Sequence, residues 1–193
     1  MKIVSLGLKY QSKKAYNYLR NIFCLPSVST LEKLVNSSVQ LEPGICQPIL
    51  TALGRKVANM TDLEKNAVLC FDEMSIKSSL SYNTKNDAVD GFENLGDFGE
   101  NKKEYASMAM VIEVHGVYSK WKQPLGYLLS NGPCSADVLR NCALHALDEL
   151  RKIGLNVRAM ISDLGTCNQS MFRTIMNITA EKPYFRHHGK KSM

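Results

Sequence analysis

Two acidic residues that follow apolar runs are the first candidates for chemistry in this sequence. VLCFDEMSIK (68–77) places Asp72 and Glu73 directly after a run typical of a strand, and AMISDLG (159–165) does the same for Asp163. Sites in open α/β sheets are built at strand ends, where side chains emerge from a rigid scaffold into a crevice. If the two strands are neighbours, Asp72 and Asp163 can approach closely enough to share a divalent cation.

Carboxylate oxygens at such a point suit Mg²⁺ or Mn²⁺. Two of these ions about 4 Å apart would activate a water or hydroxyl and stabilise the leaving oxygen in phosphodiester chemistry. A structural interpretation stands beside this one: Asp163 begins a turn with 164–166, and Asp72 and Glu73 are the solvated end of a strand. The residue pattern by itself leaves both interpretations open.

The elements that must position these carboxylates follow Thr61, which with Glu64 predicts a capped turn. The run 67–71 is wholly apolar, typical of a strand covered on both faces. The polar stretch 78–104 predicts a long hairpin or loop, and the next two apolar runs predict an antiparallel hairpin. Four further predictions complete the order: a Ser135 cap, a helix with one apolar stripe ending at Gly154, a strand over 156–162 and a helix beginning near Asn168. This order predicts an α/β sheet with antiparallel and parallel parts.

The first sixty residues differ from the rest in charge and pattern. They hold eight Lys and Arg against two Asp and Glu, whereas the remainder holds sixteen of each. Apolar spacing predicts three short helices, one capped by Ser12 with a stripe through Ala15, Tyr18, Leu19, Ile22 and Phe23, one capped by Ser29 or Thr30, and one over 48–57. This arrangement is compatible with a helix-turn-helix module that contacts nucleic acid, and also with a basic solvated helix face.

Composition narrows the class of protein. With 193 residues and 45% hydrophobic content, the chain can form one full domain and a small extra one. No run approaches the roughly 18 apolar residues of a membrane span, so we expect a soluble intracellular protein with no membrane partner. The cysteines lack any C-x-x-C spacing, which favours reduced core residues over zinc or disulfides, and the histidines are interpreted as surface or core residues.

Four longer motifs resemble successive signatures of the P-element type DNA transposases, a family that includes domesticated THAP-domain relatives. They are FDEMSIK, YNTKNDAVDGFENLG, WKQPLGYLLSNG and NVRAMISDLGTCNQSMF, and the basic segment SKKAYNYLRNIFCLPSVSTLEKLV is similar to the family's helix-turn-helix region. The resemblance runs from about residue 12 to residue 191.

The resemblance implies a basic helix-turn-helix-like segment over 1–60 and the N-terminal part of a ribonuclease-H-like domain over 61–193. Asp72 and Asp163 would be the first two members of a catalytic, metal-binding acidic triad that uses Mg²⁺ or Mn²⁺. Glu73 would be a neighbour, and Asn168 and Gln169 would at most position the site. The family reaction is cut-and-paste DNA transposition, which implies a nuclear protein with DNA as partner, contacted here by Lys13, Lys14 and Arg20.

The chain also departs from the family pattern. Family members carry a THAP zinc domain, a GTP-binding insertion and a downstream third carboxylate, and Glu181 does not match that third position. We therefore expect an incomplete ribonuclease-H-like sheet with an uncovered apolar face, no GTP binding, and no activity without a homo-oligomer or full-length transposase partner. The alternative is a domesticated, non-catalytic module that binds DNA or protein.

Overall fold

The computed structural model describes residues 2–38, 41–84, 87–187 and 190–192, which leaves the expectation for His188 outside the described residues. The chain divides into two compact units, Met1–Leu41 and Glu42–Met193. The division falls at 41 and not at the expected 60, because the helix predicted over 48–57 buries its apolar residues in the core of the sheet.

The first unit is all-helical. It consists of α1 (Lys2–Gln11), which the sequence pattern did not predict, α2 (Lys13–Ile22) and α3 (Val28–Ser38). The predicted cap of α2 is confirmed, because the Ser12 hydroxyl accepts a hydrogen bond from the Ala15 N–H at 3.1 Å. The cap of α3 is Ser27 and not Ser29 or Thr30, since the Ser27 hydroxyl accepts from the Thr30 N–H at 3.1 Å.

The apolar stripe predicted for α2 is wrong at most of its positions. Tyr18, Ile22 and Phe23 are 68%, 58% and 58% exposed, whereas Tyr16 is fully buried. The Tyr16 hydroxyl donates to the Pro26 carbonyl at 2.7 Å, so its polar tip keeps a partner when the ring leaves water. A hydropathy pattern treats tyrosine as an intermediate residue and cannot foresee that partner.

The second unit is built on a five-stranded mixed sheet in the order β1-β6-β5-β2-β7. β2 is antiparallel to β5 and parallel to β7, as the element order predicts. The other helices and two small hairpins, one of them inside the predicted polar loop, flank this sheet. The bounds are β1 Gly44–Ile45, α4 Gln47–Val57, β2 Asn66–Ser75, β3 Ser81–Asn83, β4 Ala88–Asp90, β5 Met108–Gly116, β6 Lys122–Ser130, α5 Ala136–Lys152, β7 Asn156–Ile161, α6 Thr166–Ser170, a π-helical turn Met171–Ile175, β8 Phe185–His187 and β9 Lys190–Ser192.

The core lies on one face of the sheet, under α4 and α5. The Ser135 hydroxyl caps α5 by accepting from the Val138 N–H at 3.3 Å, and the helix ends before Gly154, whose φ of +92° suits glycine. The predicted stripe of α5 is confirmed for all of its positions within the helix, which are the buried residues Leu139, Cys142, Ala143, Ala146, Leu147 and Leu150. They pack against buried residues of α4 and of the sheet, among them Leu50, Leu53, Leu69, Ile112 and Leu125.

The opposite face of the sheet is open, so the prediction that 67–71 is covered on both faces is wrong. Leu69 and Phe71 are buried, but Cys70 between them is only half-buried. Met74 on the same side as Cys70 is 58% exposed, and Ile161 of the neighbouring strand is 54% exposed. An apolar composition does not reveal which side of a strand carries helices, because that depends on the chain connections.

Several local expectations can be compared with the structure. Thr61 and Glu64 form the predicted capped turn, with the Thr61 N–H donating to the Glu64 carboxylate at 2.9 Å. All six cysteines are free, but Cys24 is exposed, so not every cysteine is a core residue. Among the described residues, no helix is long and apolar enough to cross a membrane.

Candidate carboxylate site at the ends of two parallel strands

The sheet brings Asp72 and Asp163 to the same level of two adjacent parallel strands. β2 pairs with β7 so that Cys70 lies opposite Ile161. Each carboxylate is two residues beyond its member of that pair, and neighbouring strands are about 4.8 Å apart. The neighbouring strands that the sequence argument required are therefore present.

The side chain of Asp163 is held by its own chain. Its Oδ1 accepts from the Gly165 N–H at 3.0 Å and from the Asn168 Nδ2 at 2.5 Å. Asn168 is itself buried, with only 7% exposure, and its Oδ1 is a buried atom with no hydrogen-bond partner in the described structure. Both donors reach the same oxygen, which leaves Oδ2 of Asp163 available. Gln169 instead donates to the Leu164 carbonyl at 2.6 Å and so stabilises the loop.

Asp72 and Glu73 face opposite sides of β2. Asp72 is exposed on the open face and has no hydrogen bond or ion pair within the described residues. Glu73 faces the core side, where its Oε1 accepts from the backbone N–H of Cys134 at 2.8 Å, just before α5. Adjacent strand residues point to opposite faces, so only one of the two can look toward Asp163. Glu73 has a structural partner, and Asp72 is available for another.

A depression of about 480 Å³ on the open face contains both aspartates. Glu113, which was not among the predicted site residues, enters from β5 opposite Cys70. The alternation of apolar and polar residues in VIEVHG would have indicated it. Glu113 Oε2 lies 2.9 Å from His115 Nε2 and is thus already engaged. Partial burial, and then the Glu113 carboxylate, raise the pKa of the Cys70 thiol. The depression is lined by Cys70, Phe71, Asp72, Met74, Val111, Glu113, Ile161, Ser162 and Asp163.

The donor set at this site supplies only part of what a divalent ion needs. No group of three His, Cys, Asp or Glu side chains able to hold a metal occurs in the part of the chain that the structure describes. Two carboxylates with free oxygens nevertheless fit Mg²⁺ or Mn²⁺, because Mg²⁺ keeps several waters and binds one or two protein carboxylates plus substrate phosphates. Glu181 does not line the depression. A hydrogen bond from the Thr179 side chain, and then one from the backbone of Glu181 itself, lower the pKa of the Glu181 carboxyl.

The three predicted DNA-contacting cations lie on one helix of the first unit. Lys13 and Lys14 begin α2, and Arg20 is in its last turn. All three are exposed, and none of them forms an ion pair within the described residues. Lys9 of α1, by contrast, is paired with Glu32 of α3 at 3.0 Å. The cations of α2 are thus free to meet an external anion.

A mixed five-stranded sheet with two carboxylates at the ends of adjacent parallel strands defines the class of ribonuclease-H-like proteins. The family comparison agrees and is more specific: a family described as "TNP-like, RNase H N-terminal domain" matches residues 41–176. The chain belongs to this family of transposase domains. A second family, "Transposable element P transposase-like, HTH domain", matches residues 1–33, in agreement with the predicted helix-turn-helix segment.

Curated relatives include two transposases. The chain is 30% identical over 168 residues to the human DNA transposase THAP9, an alignment covering 84% of this chain and 18% of that protein. It is 30% identical over 175 residues to the Drosophila melanogaster transposable element P transposase, covering 90% of this chain and 20% of that protein. The chain thus spans about a fifth of each relative's length.

A solved structure, the Drosophila P element transposase strand transfer complex, superposes with a TM-score of 0.71 at 28% identity. The match covers 95% of this chain and 37% of that one. It agrees with the predicted ribonuclease-H-like fold.

Proposed function

We propose that the chain is a transposase-derived protein whose sheet contributes two carboxylates, Asp72 and Asp163, to metal-dependent cleavage and strand transfer of DNA in the nucleus. The observation that carries this proposal is their placement at one level of adjacent parallel strands, inside one open depression. Support for DNA as substrate comes from the transposase relatives and the unpaired cations of α2.

The residues of the chain have separate tasks in this proposal. Asp72 presents an uncommitted carboxylate from the rigid strand β2. Asp163 is oriented through Oδ1 by Gly165 and Asn168, so that Oδ2 can take a ligand without the side chain rotating. A bound Mg²⁺ or Mn²⁺ would polarise the phosphodiester and lower the pKa of an attacking water or hydroxyl. DNA phosphates would complete the ligand set that two carboxylates leave open.

Metal binding is the most direct test of the site. Mn²⁺ titrated into the chain in the presence of a short duplex should bind the unaltered protein, and Asp72→Asn or Asp163→Asn should abolish the calorimetric signal. Asp97→Asn is a matched control, because Asp97 is an exposed aspartate outside the depression. Equal Mn²⁺ affinity in all four proteins would refute the assignment.

The positioning by Asn168 has its own test. Asn168→Ala removes one of the two donors to Asp163 Oδ1, and the loss of such a supporting partner costs about 10–100-fold in metal affinity. Asn168→Asp places a second carboxylate against Asp163 and should disturb the site at least as much. Mn²⁺ affinity unchanged by Asn168→Ala would show that Asn168 serves only the fold.

A non-catalytic DNA-binding module is the second candidate. The observation in its favour is that no group of three acidic, His or Cys side chains able to hold a metal occurs in the described residues, while three cations of α2 are unpaired. It predicts duplex binding that weakens steeply with salt, and a slope of log affinity against log salt that falls when Lys13, Lys14 and Arg20 are replaced by Ala. Nicking of DNA by the chain with Mn²⁺, lost in the Asp72→Asn variant, would exclude this candidate.

A further inference from the structure

The turn that joins β5 to β6 is a compact structure with a tryptophan folded over a glycine. The Gly116 N–H donates to the Trp121 carbonyl at 3.0 Å, and the Trp121 N–H donates to the Ser119 carbonyl at 2.9 Å. A Cβ added at Gly116 would lie 2.4 Å from Trp121 Nε1, so the indole occupies the space that a side chain would need. The sequence HGVYSKWK over 115–122 contains no acidic residue.

Lysines surround this turn on both faces of the sheet. Lys56, from the end of α4, places its Nζ 5.1 Å from the centroid of the Trp121 ring, on the core side. Lys122 lies opposite His115 in the sheet, and His115 lies opposite Val68. All three residues are therefore on the open face. Lys120 is exposed at the tip. None of the three lysines forms an ion pair within the described residues.

We propose that this turn, residues 117–122, enters a groove of duplex DNA and that Lys56, Lys120 and Lys122 contact phosphates on its two walls. This rests on the proposed function, in which the chain acts on DNA. The major groove is about 12 Å wide and admits a two-stranded β-ribbon, and its phosphates lie on both sides of an inserted element. Tyr118, 68% exposed at the tip, adds an amphipathic ring that can contact the sugar-phosphate backbone.

The arrangement of charge favours a duplex over an acidic peptide. A peptide would lie along one side of the ribbon, whereas these cations occupy both faces and the tip. Glu113, an acid of the open face on the same strand as His115, is already engaged by His115. Val68, which lies opposite His115 at the base of the turn, and Asp72 are four residues apart on one strand, about 13 Å.

The test uses the full chain and a fluorescent duplex of about 20 base pairs, titrated at several salt concentrations. Lys120→Ala with Lys122→Ala removes two phosphate contacts, so the slope of log affinity against log salt should become shallower by about 2, and affinity near 0.1 M salt should fall roughly 60-fold. The control pair Lys102→Ala with Lys103→Ala removes the same charge from another exposed segment. Its slope should match that of the unaltered chain.

Each of the following outcomes would overturn the inference. An unchanged slope for the turn variant would mean that the lysines do not contact phosphates, and an equal loss in both variants would mean that only net charge matters. A turn variant that loses binding to a poly-glutamate peptide as strongly as to DNA would indicate an acidic protein partner. If the unaltered chain binds no duplex at all, both the proposed function and this inference fail. If duplex binding is lost only in the α2 variants, this inference fails and the proposed function stands.

Discussion

Asp72 and Glu73 are adjacent carboxylates of β2, and replacing each of them by Ala should have opposite effects on stability and on metal binding. Glu73→Ala removes the acceptor of the Cys134 N–H, and Cys134 is only 2% exposed. A hydrogen bond to a charged group contributes about 1.5–3 kcal/mol, and the donor would be left without a partner. Asp72→Ala removes an exposed side chain with no partner in the described residues, for which the expected change in the free energy of unfolding is within about 0.5 kcal/mol.

Thermal unfolding and Mn²⁺ titration separate the two variants. For a domain of this size, about 2 kcal/mol corresponds to a fall in Tm of roughly 4–8 °C, which is expected for Glu73→Ala but not for Asp72→Ala. Mn²⁺ binding should show the reverse, since it is lost in Asp72→Ala and retained in Glu73→Ala. Glu73→Gln keeps an oxygen acceptor and should recover part of the stability. If Asp72→Ala is the destabilised protein, or Glu73→Ala the one that loses metal, the assignment of faces is refuted.

Three further outcomes can be measured. Ser135→Ala should lower the free energy of unfolding by about 1 kcal/mol in urea denaturation, because α5 loses its N-cap. The hydrogen bond from Lys152 lowers the pKa of Glu149. The stabilisation by this carboxylate is therefore present above its unfolded pKa near 4.5 and is lost as pH falls through the folded value. The Tm difference between Glu149→Gln and the unaltered chain should shrink between pH 7 and pH 3. Burial raises the pKa of Cys134 to about 12, so a thiol reagent at pH 8 should label exposed Cys24 quickly and Cys134 only after unfolding; equal labelling rates would contradict the burial.

Elements whose signals lie within a few residues could be read from the sequence. The Ser12 and Ser135 caps, the Thr61 turn and the stripe of α5 depend on contacts between residues close in the chain, and the structure contains them. The buried face of α2 was not readable in this way, because Tyr16 is buried by virtue of a partner ten residues away.

The candidate site was predictable in its residues but not in its geometry. Spacing and the apolar runs singled out Asp72, Glu73 and Asp163 as strand-end acids, and the family resemblance separated the first from the second. The side that each residue faces, and the entry of Glu113 from β5, depend on strand pairing between segments about forty residues or more apart.

The sequence by itself determined where the longer strands and helices of the second unit lie and which acids stand at strand ends, because propensities, caps and hydrophobic periods act locally. Only the tertiary structure decided that β2 and β7 are neighbours, that helices cover one face and leave the other open, and that Glu73 serves α5 while Asp72 looks outward. These outcomes follow from long-range packing, where one register brings Asp72 level with Asp163 and a shift by one residue would turn each side chain to the other face.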